Sequence, residues 1–182
     1  MTLTKQNTEE LIILCKAKNQ FAQVEIYNRY YGAMYNTAFR IVKDSFNAED
    51  IMQDSFLLAF TKLDTLKDSK TFGAWLKRIV VNKSIYHFNK NKKEHTTPID
   101  TVLYKIAEED GIASDDCVTL QAQQVIKVMN TLKDNYRISL SLHLIEGYDY
   151  EEISDIMNIT YANCRTTISR AKESLRTKIQ AL

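Results

Sequence analysis

Apolar residues in this chain recur at spacings of three and four rather than two, the mark of helices with one buried side. The pattern predicts a short helix over 8–18, with Thr8 and Glu10 near its start. A long amphipathic helix over 21–42 is rich in tyrosine (Tyr27, Tyr30, Tyr31, Tyr35). Asn47 can cap a third helix over 48–63, whose first turn would carry Glu49 and Asp50 where the helix dipole favours acids. A fourth runs over 71–93. The periodicity then breaks. Residues 94–116 hold the single proline, one of the four glycines and a surplus of acids, which reads as a linker. Helices resume over 118–132, 135–146, 150–157 and 161–180. The expected fold class is all-α: two small helical domains, 1–93 and 117–182, joined by an acidic linker over 94–116.

Composition narrows the function. Four glycines and one proline are too few for a turn-rich β fold. No apolar run is long enough to span a bilayer, and the N-terminus lacks the basic-then-apolar layout of a signal peptide, so a cytoplasmic chain without membrane insertion is expected. Cys15, Cys117 and Cys164 are scattered, with no C-x-x-C and no histidine at ligand spacing. No metal site or cofactor is expected. A phosphate-cradling glycine loop, an activated nucleophile and a paired carboxylate cleft are all missing, so the chain does not read as an enzyme. Net charge is only +1, but the charges are segregated. Residues 70–93 carry seven lysines and arginines and no acid, and residues 160–182 carry five against one acid. Two basic patches fit two contacts with one polyanion; they also fit two solvated helix faces.

In the C-terminal half, Y-E-E-I-S-D-I-M-N-I-T-Y-A-N-C-R-T-T-I-S-R-A over 150–171 is the clearest motif. Ile153 and Ile156 share one side of a short helix. Asn158 suits the left-handed turn that follows, and Thr160 can cap the next helix. There Cys164, Ile168, Ala171, Leu175 and Ile179 recur at 4, 3, 4 and 4 as a buried stripe. Ala162, Asn163, Thr166 and Arg170 lie off it, with Arg165 and Ser169 nearby. Small residues permit close approach to a major groove, and asparagine and arginine can read base edges. A plain αα-hairpin with a polar outer face would show the same periodicity.

In the N-terminal half, Ala48, Met52, Phe56, Ala59 and Leu63 form one core stripe. Asp50, Gln53, Asp54, Leu57 and Thr61 form a second, with Phe60 at its border. A face mixing carboxylates with apolar groups suits a basic, helical protein partner; Leu57 and Phe60 packing into a broader core is the alternative. In the next helix Phe72, Trp75, Leu76, Ile79 and Val80 serve the core. Arg78, Asn82, Tyr86, Asn89 and Lys93 fall along another face, flanked by Lys83, His87 and Lys90. Cations interleaved with amides and a ring suit unstacked bases, or simply an amphipathic helix over a core.

Longer stretches now carry a resemblance. Residues 136–176 keep the Tyr136–Arg137 pair, the G-Y-D-Y-E-E-I approach from Gly147 to Ile153 and the closing R-A-K-E-S-L-R of region 4 in sigma-70-family factors, especially the small extracytoplasmic-function group. A-E-D-I-M-Q-D-S-F-L-L-A-F from Ala48 and T-F-G-A-W-L-K-R-I-V-V-N-K from Thr71 resemble that family's region 2. The resemblance implies a transcription initiation factor with regions 2 and 4 only. It implies that Asp50, Gln53, Asp54, Leu57 and Phe60 meet the β′ clamp of RNA polymerase core. Arg78, Asn82, Lys83, Tyr86, Asn89 and Lys90 would approach the promoter −10 element, with the loop 64–71 where such factors hold a flipped-out base. Ala162, Asn163, Arg165, Thr166, Ser169 and Arg170 would read the −35 element, and the core polymerase partner would include the β flap as well as the β′ clamp. It also allows for an anti-sigma partner. Tyr86 stands where an aspartate is common, Asn158 where a glycine is usual and Thr167 where a basic residue is frequent, which leaves the individual base contacts open. The linker acids Glu108, Glu109, Asp110, Asp115 and Asp116 could mimic phosphates in a basic channel. The rival reading is an operator-binding helix-turn-helix regulator acting without core polymerase.

Overall fold

Side-chain caps set where the helices begin. The computed structural model describes residues 3–94 and 116–181 (for 93, 94 and 116–121 the backbone alone). The chain divides into two compact units, Met1–Lys93 and Glu94–Leu182. The first carries α1 (Thr8–Lys16), α2 (Gln20–Val42), α3 (Ser45–Thr61) and α4 (Phe72–Glu94). Asn7 and Glu10 close a capping box on α1, the Asn7 side chain accepting the Glu10 N–H at 2.8 Å. Asn19 caps α2, which ends on Lys43 in the left-handed conformation (φ 59°). The expected start of α3 at residue 48 is corrected. The Asp44 carboxylate accepts the Asn47 N–H at 2.7 Å, so the helix begins at Ser45 and Asn47 lies inside it. Glu49 and Asp50 therefore sit in the second turn, and no acid occupies the first.

The core of this unit is the expected stripe, which runs along α3 and ends on Leu63 in the 3-10 turn after it. Ala48, Met52, Phe56, Ala59 and Leu63 are all buried, widened by Ile51 and Ser55. Leu11, Ile12 and Cys15 of α1, Ala22, Ile26, Met34 and Ala38 of α2, and Phe72, Leu76 and Val80 of α4 close on it. Burying each large side chain contributes roughly 1.5–3 kcal/mol before the entropy of ordering is counted. Aromatic rings knit the helices together: Tyr27 meets Phe56 at 4.8 Å, and Tyr30 meets Phe72 edge-on at 5.3 Å. Beside them Gly73 lets α4 approach α2, because a Cβ there would stand 3.0 Å from the Tyr30 ring. Trp75 and Ile79 are half-buried packing residues. Between α3 and α4 two 3-10 turns, Leu63–Thr65 and Ser69–Thr71, flank buried Leu66. The Leu66 carbonyl accepts from Lys16 Nζ at 3.1 Å, which ties this loop to α1.

The second unit carries α5 (Asp116–Asn130), α6 (Asp134–Leu140), α7 (Tyr150–Met157) and α8 (Tyr161–Gln180). α5 begins two residues before the expected 118, so Asp116 belongs to a helix. Glu108, Glu109, Asp110 and Asp115 lie outside the described residues. α6 continues into a π-helical turn, Ser141–Ile145. Gly147 (φ +80°) then turns the chain back, a conformation that glycine enters without a Cβ penalty. Arg137 is 2 % exposed, and its guanidinium donates to the Asp134 carboxylate at 3.0 Å. Asp149 and Glu152 box the start of α7. Asn158 takes the left-handed conformation (φ 52°) at its end, and the Thr160 hydroxyl accepts the Asn163 N–H at the start of α8.

Ile153, Cys164, Ile168, Ala171 and Leu175 form the buried seam of the α7–α8 pair, with Ile156 half-buried. Ile179, expected on the same stripe, is 39 % exposed: from Arg176 on, the last turns of α8 lie in solvent. Burial pushes the Cys164 thiol up, and pushes that of Cys15 to about 11, so both are protonated and poorly nucleophilic at neutral pH. The side chain of Cys117 is not described.

Candidate functional site

α3 turns its back on its own core with an unusual surface. Asp50, Gln53, Asp54 and Thr61 are exposed, and among them Leu57 is 68 % exposed. Phe60 divides from them: it is half-buried against Phe56 at 6.0 Å and serves both core and rim. Because α3 starts at Ser45, Phe46 joins this face one turn before Asp50 and is 79 % exposed. The Asp44 cap was the signal that would have found it; placing the cap at Asn47 cut Phe46 off. Alongside, α2 stacks Tyr31, Tyr35 and Phe39, with neighbouring centroids 6.2 and 6.0 Å apart. Burial first, then the charges of Tyr31 and Glu49, pushes the Tyr27 phenol up. Apolar side chains ringed by carboxylates offer a groove to a helix that is apolar on one side and basic around it.

On α4 the expected outward row is exposed: Arg78, Asn82, Tyr86 and Asn89, with Lys90 beside it. The Tyr86 ring is 73 % exposed and free to stack. The side chain of Lys93 is not described. His87 is drawn aside, hydrogen-bonded to Asn91 at 3.3 Å. Lys83 is also drawn aside: its ammonium donates to the Asp54 carboxylate of α3 at 3.1 Å. This ion pair joins the acidic face of α3 to the basic face of α4.

On α8 the structure gathers Ala162, Arg165, Thr166, Ser169 and Arg170 around one open hollow of about 540 Å³, with Tyr161 as the sixth lining residue. Asn163 is exposed but points elsewhere, its side-chain oxygen accepting from the Thr167 hydroxyl at 3.3 Å. Thr160 starts the helix so that this face is presented from its first turn. Tyr161 falls outside the face expected from the small and basic residues; its place one turn before Arg165 is the sequence signal for it. Among the described residues no group of three or more His, Cys, Asp or Glu could hold a metal ion, and no helix is long and apolar enough to cross a membrane.

Comparison with known proteins shows the family. Residues 26–94 match the family model for sigma-70 region 2, and residues 122–175 match that for sigma-70 region 4. The chain is 33 % identical over 158 residues to the ECF RNA polymerase sigma factor SigM of Bacillus subtilis, covering 84 % of this chain and 91 % of the relative. The chain belongs to the ECF (extracytoplasmic-function) group of RNA polymerase sigma factors.

Two further relatives agree. The ECF sigma factor SigW of Bacillus subtilis is 28 % identical over 92 % of this chain and 94 % of its own length. The ECF sigma-E factor of Escherichia coli K12 is 26 % identical over 99 % of this chain and 98 % of its own. Two solved structures share the fold. One is the sigma factor RpoE bound to the anti-sigma factor NepR from Bartonella quintana, with a TM-score of 0.57 at 22 % identity, covering 86 % of this chain and 95 % of that one. The other is CnrH bound to the cytosolic domain of CnrY, with a TM-score of 0.55 at 21 % identity, covering 96 % and 97 %. The ECF sigma factor is thus an initiation factor for RNA polymerase.

Proposed function

We propose that the two halves of this sigma factor divide promoter opening between them. Residues 1–93 dock on the β′ clamp of the polymerase and hold the −10 strand, residues 94–116 link, and residues 117–182 grip the −35 duplex and lie near the β flap. The carrying observation is the outer face of α3. A helix whose inner stripe is fully buried leaves Phe46 and Leu57 exposed between Asp50, Gln53 and Asp54. Apolar groups exposed on the same helix face as carboxylates suit a covering protein partner. The carboxylates around them select a basic one.

On α4, Arg78 and Lys90 then track phosphates while Asn82, Tyr86 and Asn89 meet unstacked bases; Lys83 joins them only by leaving the Asp54 carboxylate. The loop over 64–71, tied to α1 by Lys16, seats a base that has left the stack. Capture after unstacking favours the open duplex, because the factor binds that form better, and no nucleotide hydrolysis is needed. On α8, Arg165 and Arg170 supply base-edge and phosphate contacts, Thr166 and Ser169 hydrogen bonds, and Ala162 the room for close approach; Asn163 joins them only by turning away from Thr167. This work is done in the cytoplasm, where polymerase meets the chromosome. An anti-sigma protein is a further expected partner, supported by the solved sigma factor RpoE of this fold, seen with the anti-sigma factor NepR.

Titration of labelled core polymerase with the intact factor tests the assignment. Leu57→Ala and Asp54→Lys weaken core binding at least tenfold while leaving the fold intact. Unchanged affinity in both variants would overturn it.

A further inference from the structure

The recognition face of α8 carries one side chain with no assigned task. Tyr161 is the first residue of α8, is 49 % exposed, and lines the same hollow as Arg165 and Arg170. On its other side it borders a second open hollow of about 380 Å³, shared with His143, Tyr150, Asp149 and Glu151. The two hollows differ in charge. Two guanidinium groups line the first, and two carboxylates line the second, where the Asp149 carboxylate also caps α7. DNA phosphates are drawn to the first and repelled by the second. Tyr161 therefore stands at the edge of the DNA-facing surface, between the two arginines and a carboxylate-lined hollow over whose Tyr150 ring the Lys172 ammonium lies at 6.0 Å.

Tyr161, Arg165 and Ser169 follow one another at i, i+4 and i+8, a single ridge along α8. The N-terminal residues of a recognition helix are the ones that reach base edges. The base-edge group that suits an apolar ring is the thymine C5-methyl; guanine, cytosine and adenine present only donors and acceptors in the major groove. We propose that Tyr161 is a further specificity-determining residue, which reads a thymine at one end of the −35 element through its methyl group. The inference rests on α8 being the −35-reading helix.

Run-off transcription by the reconstituted holoenzyme tests it, on promoter duplexes in which each −35 position is varied and each thymine is replaced in turn by deoxyuridine. The wild-type factor is expected to prefer thymine over deoxyuridine about fourfold at one terminal position, the value of one buried methyl. Tyr161→Ala erases that preference and leaves the others unchanged, whereas Tyr161→Phe, which keeps the ring, retains it. Equal use of thymine and deoxyuridine at every position by the wild-type factor overturns the proposal without any variant. So does a Tyr161→Phe variant that behaves like Tyr161→Ala, since the hydroxyl would then carry the contact. The parent reading falls separately, if Arg165→Ala and Arg170→Ala leave dependence on the −35 sequence untouched.

Discussion

The outer faces of α3 and α8 are built by one rule and advertise opposite partners. Each helix buries a narrow stripe, Ala48–Met52–Phe56–Ala59 in one and Cys164–Ile168–Ala171–Leu175 in the other. What the stripe leaves over differs. α3 exposes Phe46 and Leu57 among carboxylates; α8 exposes Ala162, Thr166 and Ser169 with two arginines, and no acid lines its hollow. Large apolar groups need a partner that excludes water over a wide area, as a protein helix does. Small polar and basic groups need one that comes close and offers acceptors and phosphates, as duplex DNA does. The inner stripe fixes the fold, and in the proposed division the outer remainder selects the partner.

The sharpest way to break this division is at adjacent residues. Phe56→Ala removes a 2 %-exposed ring and costs about 4 kcal/mol of stability, read by chemical denaturation. Leu57→Ala, one position on, shifts stability by less than about 0.5 kcal/mol because its side chain already faces water. Its effect falls on core binding instead. If Leu57→Ala were the destabilising one, the face would belong to the core.

The same contrast can be drawn in the second unit. Arg137→Ala removes a buried guanidinium from α6 and costs about 2 kcal/mol, read by thermal melting. Arg165→Ala and Arg170→Ala leave the melting temperature unchanged and cost roughly 1–3 kcal/mol in promoter binding, concentrated at single −35 positions. Smaller still is the turn between α7 and α8. Asn158→Ala costs about 1 kcal/mol, since alanine lacks the local hydrogen bonding that eases asparagine into the left-handed region, while Asn158→Gly is neutral or slightly stabilising by thermal melting. At the bottom of the scale, Lys83→Gln shifts stability by no more than about 0.5 kcal/mol, because both partners of the Asp54 pair are partly exposed to water.

Much of this was legible before any coordinates. The α3 stripe repeats so regularly that Ala48 through Leu63 could be placed in the core from spacing alone. Asn158 and Thr160 announced the turn and the cap of the helix-turn-helix by residue type. The Ser45 start of α3 was not legible, because Asp44 and Asn47 are both good caps three residues apart and only geometry shows the carboxylate holding the amide. That single ambiguity hid Phe46. Ile179 keeps the right spacing yet stays 39 % exposed although Lys178 beside it donates to Thr131 after α5, since periodicity reports a face and not how fully a neighbour covers it. Tyr161 and Asn163 exchanged places in the α8 hollow for a similar reason: a polar side chain that bonds within its own helix turns aside, and an aromatic one at its first turn reaches forward. Lys83 was assigned to DNA by its charge, and its pairing with Asp54 across two helices has no trace in local sequence.

The central claim, that this ECF sigma factor opens promoters through separate protein-binding and DNA-binding faces, is tested most directly by mapping transcription start sites with purified core polymerase and the Leu57→Ala and Arg170→Ala variants beside the wild-type factor. The prediction is specific starts with the wild type. Leu57→Ala should lose activity at every promoter alike and recover when core is supplied in excess. Arg170→Ala should lose it according to −35 sequence and not recover. Specific starts without the factor, or two variants indistinguishable in promoter dependence and in rescue by core, would contradict the account.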